Sequence, residues 1–333
     1  MAGSVSTPAP DPAALREALV ASPALCPLEW NEQRTAVLFG RFSEEAYRAV
    51  SFFDQRAVPA AERTGVVPWA MAEPWLVELP RRCDFLFHVS HCGSTLLSRL
   101  LGTAEASLAV REPGILRGLT AADPEARVDA ALALLSRSFH PGQRPLIKAT
   151  SIVNAVAGRL LDRTADARAG LVFVPASTFL PSVLDGSLSD IQAHAQSRWS
   201  RLIDGGLAAP APHSPGEQAA AAWLCEMLAL ARLAERFPER TCWVNFEQFL
   251  MSPEAVLAEL AGFYQLSIDA AAVLAGPLMQ QYAKQPGVRY DVAARDALLA
   301  TARTGHAAEI AAGLAWLEAT GCLQRLPEPT LHP

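Results

Sequence analysis

The segment best equipped for chemistry is Ser90-His91-Cys92-Gly93-Ser94-Thr95. A glycine lets the backbone turn tightly, and the N–H groups of such a turn, together with those opening a helix, make a concave site for an anion. Ser94 and Thr95 add hydroxyl donors. His91 brings a side chain whose charge can change near neutral pH. Beside a phosphate or sulfate its protonated form is favoured. It then serves as an acid toward a bridging oxygen; the alternative is a neutral donor in a binding loop. Cys92 follows His91 in a place where a helix N-terminus lowers thiol pKa, but no third orienting group accompanies it, so a cysteine nucleophile is disfavoured. Ser94 does not sit in a Gly-x-Ser-x-Gly elbow.

The elements that must position this loop follow from the flanking residues. Phe85-Leu86-Phe87-His88-Val89 is a short run of β-formers and suits a buried strand, with His88 packed inside it. Leu-Leu-Ser-Arg-Leu-Leu after the loop has helical spacing and stops at Gly102. Further strands are expected at Ser107–Val110, before Arg111-Glu112-Pro113, at Pro145–Lys148, at Gly170–Val174 and at Cys242–Phe246. Helices are expected around 128–139, from Ala176, from the capping box at Ser214-Pro215-Gly216-Glu217, from Ser252-Pro253, and through 291–318. Strands alternating with helices predict an α/β fold with a mostly parallel sheet between helical layers. Ligands of such sheets bind at the carboxyl ends of the strands. The segment up to about Pro80 reads mostly helical, with one helix from Asp11-Pro12 and another running from Ser43 to about Val58. The proline-rich stretch 66–80 reads as a covering loop or edge element. The expected organisation is an N-terminal helical extension at 1–80, the α/β domain at 81–320, and a tail at 321–333.

Against the nucleotide P-loop motif, Gly93 and Thr95 fit, but His88 replaces the first glycine and Ser94 replaces the lysine. That lysine is central to nucleoside triphosphate hydrolysis, so an ordinary ATPase or kinase is disfavoured. Gly-Ser-Thr-Leu-Leu after a strand instead resembles the loop of PAPS-dependent sulfotransferases, whose pattern runs Pro, Lys or Arg, Ser, Gly, Ser or Thr, Thr. In that register Ser90 takes the proline place and His91 the cationic place, and Cys92, Gly93, Ser94, Thr95 and Leu96 complete the donor-binding loop.

The resemblance implies a P-loop, sulfotransferase-like three-layer fold and four further site features. Glu112 falls about where tyrosylprotein sulfotransferases carry a glutamate base, and a carboxylate there can take the proton an acceptor hydroxyl must lose; the alternative is a solvated glutamate or an ion pair with Arg111. Lys148 would stabilise charge on the transferring sulfuryl group or the leaving phosphate; otherwise it is simply an exposed strand end. Ser182 matches a serine that binds the 3′-phosphate of PAPS, whereas Val174 stands where the family has an arginine for the same phosphate. Lys284, in Tyr282–Gly287, falls in a basic late loop that covers the nucleotide, and could supply part of the missing charge. Glu247, by contrast, reads as a structural loop or cap residue.

Composition sets the outer limits. The 333 residues are 51% hydrophobic and 19% charged, with a net charge of −6, which suits a folded protein with no global attraction to nucleic acid or to an anionic membrane. No stretch approaches a membrane span, no signal peptide is read, and the six scattered cysteines form no metal-ligand spacing. The expectation is a cytoplasmic sulfotransferase that uses PAPS and no metal, acting on a hydroxyl or amine of a small molecule or peptide. The alternatives are a catalytically lapsed nucleotide- or anion-binding protein on the same fold, and a transferase for another phosphate-bearing donor.

Overall fold

In the computed structural model, residues 11–77, 79–186, 188–280 and 291–326 are described. Their centre is a five-stranded sheet of Asp84–His88 (β4), Ser107–Arg111 (β5), Arg144–Lys148 (β6), Ala169–Phe173 (β7) and Thr241–Asn245 (β8), in the order β5-β6-β4-β7-β8. Every pairing is parallel. All residues of β4, β5 and β7 are buried. That is the condition of a sheet covered on both faces, and it explains why these strands read as continuous apolar runs. The expected strands are all present, each starting one residue earlier than read or, for β5, ending one later.

Register brings the carboxyl ends together. β4 lies between β6 and β7, so the loop that follows it leaves the middle of the sheet. Leu86 pairs with Lys148, and Lys148 pairs with Arg111 on the edge strand. Glu112 is the next residue, and its N–H donates to the Lys148 carbonyl at 2.6 Å. The helix Ser94–Leu101 buries Leu97, Leu100 and Leu101 against the sheet, and the long helix Pro215–Arg236 opens with the Ser214/Glu217 capping box read from the sequence. The expected tail helix is two helices, Val292–Gly305 and Ala307–Ala319.

The N-terminal segment departs from its mostly helical reading. It holds an antiparallel sheet of Leu25–Trp30 (β1), Ala36–Arg41 (β2) and Arg63–Pro68 (β3), in the order β1-β2-β3. The turn into β2 is fixed by Asn31 Oδ1, which accepts from the N–H groups of Thr35 and Ala36. Val37 and Phe39 alternate inward, the period of a half-buried strand. Helix does form at Pro12–Ala21 and Glu44–Ala49, but the second stops far short of Val58. There tertiary contacts override local propensity: the buried Arg111 guanidinium donates to the Arg48 and Val50 carbonyls, Phe53 N–H donates to the Arg111 carbonyl at 2.8 Å, and Gly114 N–H donates to the Phe53 carbonyl at 2.8 Å. The proline-rich stretch forms β3 and the helix Trp69–Leu76, with Pro74 inside it. Residues of this segment belong to the same continuous hydrophobic core as the parallel sheet, so it is built into the fold. Among the described residues no helix is long and apolar enough to cross a membrane.

Candidate active site at the carboxyl ends of the parallel strands

The loop after β4 turns through left-handed backbone at Ser90 (φ 76°), His91 (φ 49°) and Gly93 (φ 70°). For the two non-glycine residues this costs on the order of 1–2 kcal/mol each, a type of strain that clusters at functional sites. Ser90 N–H donates to His88 Nδ1 at 2.9 Å, so the neutral His88 ring carries its proton on Nε2. Gly93 is the N-cap of the Ser94–Leu101 helix, and no side-chain hydrogen bond caps that end. A β-carbon at Gly93 would lie 2.1 Å from the Phe246 ring. Glycine is therefore required twice, by its φ and by the close approach of Phe246.

The other loop side chains divide into packed and outward. Ser94 and Thr95 are buried, and Leu96 is half-buried. Cys92 is buried and its thiol donates to the Val172 carbonyl at 3.4 Å. Burial pushes that thiol up to about 11, which removes the thiolate a nucleophile needs. His91 is half-buried with its ring edge-on to Phe179 at 6.3 Å between centroids.

Lys148 and Glu112 meet in an ion pair, with Lys148 1% and Glu112 12% exposed at the side chain. Lys148 is thus a buried partner of Glu112 rather than an exposed strand end. The Arg111 alternative for Glu112 is also set aside, since Arg111 is spent on the backbone carbonyls of the N-terminal segment. Glu112 adopts left-handed backbone (φ 47°), which is uncommon for such a residue. On its other side, Arg56 Nη2 lies 3.9 Å from Glu112 Oε2. Arg56 is held in turn by Asp54, which also accepts from Arg117 at 2.7 Å. Lys148 lies opposite Leu86 of β4, and Ala149 N–H donates to the Leu86 carbonyl at 3.2 Å, so the pair stands beside the strand that carries the loop.

The second phosphate position is built differently. Val174 is fully buried, and its carbonyl accepts from Trp223 Nε1 at 2.9 Å. Ser182 Oγ donates to the Thr178 carbonyl within its own helix at 2.9 Å. Lys284 lies outside the described residues. A cation does stand near the loop on another element: Arg295, of the helix Val292–Gly305, lies over the Phe246 ring at 5.8 Å and pairs with Glu247. Glu247 is accordingly an ion-pair partner at the start of a helix.

Sequence reasoning missed Asp54 and Arg56, which reach the site through the fold of the N-terminal segment, and Arg117, which joins them by pairing with Asp54. It also missed a buried polar cluster behind β4. There Asn154 Nδ2 donates to the His88 carbonyl and to Glu226 Oε2, both at 3.1 Å, and Glu226 accepts from Arg198 and Arg201. A signal did exist, since a glutamate inside the apolar run Ala-Trp-Leu-Cys-Glu-Met-Leu needs a buried partner.

No family model matches the chain, and no curated protein matches it. Solved structures similar to it include sulfotransferases. The sulfotransferase domain from the curacin biosynthetic pathway is 16% identical, with 66% of this chain and 83% of that one covered and a TM-score of 0.39. Sulfotransferase STF1 from Mycobacterium tuberculosis H37Rv is 13% identical over 73% and 80%, with a TM-score of 0.44. The sulfotransferase domain of the Synechococcus PCC 7002 olefin synthase is 14% identical over 68% and 88%, with a TM-score of 0.41. The α/β architecture described above stands on this chain's own strand order and pairing.

Proposed function

We propose that this protein is a sulfotransferase that moves a sulfuryl group from PAPS to a hydroxyl or amine of a small molecule or peptide. The observation that carries the reading is the Glu112–Lys148 ion pair, seated at the carboxyl ends of adjacent strands beside a glycine-turned anion loop. One half of the donor fits what is present. The left-handed turn at Gly93 and the helix start at Ser94 suit the phosphosulfate group, with Ser90, His91, Cys92, Ser94, Thr95 and Leu96 forming the cradle. The other half fits less well, because Val174 is packed into the core where a cation for the second phosphate is expected.

In this reading the acceptor oxygen or nitrogen forms a bond to sulfur as the bond from sulfur to the bridging phosphate oxygen breaks. The acceptor proton passes to the Glu112 carboxylate, and the electron pair of the broken bond leaves on the phosphate. Lys148 and His91 stand where that negative charge arrives. Arg56 steadies the second oxygen of Glu112. Such a transfer depends on positioning and on charge stabilisation rather than on covalent work by the protein.

The test is Glu112→Gln assayed with PAPS and a panel of hydroxyl and amine acceptors. The account expects unchanged PAP affinity and a fall in turnover of about 10²–10⁴-fold, the range of general base catalysis. Undiminished turnover would remove Glu112 from the role of base. The buried Val174 favours a second reading, a catalytically lapsed nucleotide- or anion-binding protein. That reading expects PAP to bind and no acceptor to be sulfated.

A further inference from the structure

The buried polar cluster behind β4 holds more cation than its own pairing requires. Arg198 and Arg201 both belong to the helix Ala195–Asp204, and both donate to Glu226 of the helix Pro215–Arg236. Glu226 Oε1 accepts from Arg198 Nε at 3.0 Å and from Arg201 Nη1 at 3.1 Å. Its other oxygen accepts from Asn154 Nδ2 at 3.1 Å. The side chains of Glu226 and Arg198 are 1% and 5% exposed. One buried carboxylate therefore faces two guanidinium groups, and Arg201 with Asn154 already gives that carboxylate a partner at each oxygen.

Arg198 is the cation with donors to spare. Its Nη2 reaches Ser151 Oγ at 3.4 Å. Its Nη1 is buried and has no hydrogen-bond partner among the described residues. Leaving a buried charged donor unsatisfied is costly, and a purely structural pair with Glu226 does not require it. Ser151 opens the turn that follows β6, shortly after Lys148. The cluster also touches the strand that carries the loop, where Asn154 Nδ2 donates to the His88 carbonyl at 3.1 Å. Ser151 and Asn154 thus connect Arg198 to the end of β6 and to the end of β4, the two strands that carry Lys148 and the loop.

We infer that Arg198, assisted by Ser151, receives a carboxylate of the acceptor, so that the acceptor is a small hydroxy acid or amino acid. The guanidinium fork matches a carboxylate with parallel N–H donors, which an ammonium does not. A neutral acceptor would leave the excess cation uncompensated, so Arg198 selects among acceptors while Glu112 and Lys148 serve the transfer. The inference rests on the sulfotransferase reading above.

The experiment measures PAP release from PAPS by the full-length protein with matched acceptors: hydroxyphenylpropionate against its methyl ester, and hydroxybutyrate against its methyl ester. PAP affinity is measured in parallel by calorimetry. The acids are expected to show kcat/KM at least about 10-fold above their esters, a difference of about 1.4 kcal/mol in transition-state binding. Arg198→Gln should bring each acid down to its ester, and Arg198→Lys should recover only part of the preference; PAP affinity should not change in either. The comparison within the unaltered protein stands even if Arg198→Gln fails to fold. Esters turned over as well as acids would overturn the carboxylate inference and leave the sulfotransferase reading intact. So would variants that keep the full preference, or acids left untouched while PAP binds and another acceptor is sulfated. Absence of PAP binding would overturn both.

Discussion

Glu112 and Lys148 sit at the carboxyl ends of β5 and β6 and are joined twice, through their side chains and through the Glu112 N–H to the Lys148 carbonyl at 2.6 Å. The backbone bond fixes the left-handed turn that carries Glu112 back over β6. The side-chain pair is set by strand register, since Lys148 lies opposite Arg111 and Glu112 is the next residue. A carboxylate and a cation are thus held together by the fold itself, the preorganisation that transfer of a charged group needs.

Breaking this pair from one side should be expensive. Lys148→Met removes the cation paired with Glu112, and removing one partner of a buried pair typically costs about 3–5 kcal/mol. The double variant Lys148→Met/Glu112→Gln should be more stable than Lys148→Met alone, because the orphaned charge is gone. Urea denaturation of the parent, both single variants and the double variant measures the coupling. Strictly additive effects would show that the two side chains do not stabilise each other.

Gly93→Ala should be destabilising by about 2–4 kcal/mol, combining the left-handed penalty with overpacking against Phe246. The two causes separate in the background of Phe246→Ala. There the clash is absent, and the added methyl should cost only about 1–2 kcal/mol, the conformational part. Thermal denaturation of the four proteins gives the comparison. An equal cost in both backgrounds would mean that Phe246 yields freely and that the close approach is not a constraint.

Asp54 ties the N-terminal segment to the site. Burial raises its pKa, but hydrogen bonds and charge from Arg56, with the charge of Arg117, outweigh burial and hold the carboxyl below the usual carboxylate range. With the folded-state value depressed, the unfolded chain takes up the proton first as pH falls. The stabilisation is complete above the unfolded value near about 3.9 and is lost as pH drops through the lower folded value. Asp54→Asn should therefore be less stable than the parent at neutral pH, and the gap should close in strong acid. Denaturation across a pH series checks this; a gap of constant size from neutral pH into strong acid would show that the carboxylate charge of Asp54 contributes nothing.

The sequence carried much of this fold and part of the site, for identifiable reasons. β4, β5, β6 and β7 are short, buried runs bounded by turn residues, and the loop at 90–95 announces itself by its glycine and hydroxyls. Lys148 and Glu112 could be placed on one rim because parallel strands end together. Their contact could not, since it depends on register and on the φ of Glu112. The antiparallel sheet at 25–68 was illegible because its stability comes from packing into the core and from pairing between β2 and a strand more than twenty residues away. Arg56 and Arg198 carried no motif. Arg56 is held by its neighbour Asp54 and reaches Glu112 only through the fold, and Arg198 is held by Glu226 on another helix.

The central claim is that the loop Ser90–Thr95, flanked by Lys148, holds a sulfated nucleotide donor. Calorimetric titration of the full chain with PAP and PAPS, beside ATP with and without magnesium, tests it most directly. The account predicts saturable binding of PAP and PAPS that ATP does not displace at equal concentration. No detectable binding of either at millimolar ligand, or tighter binding of magnesium-ATP, would contradict it.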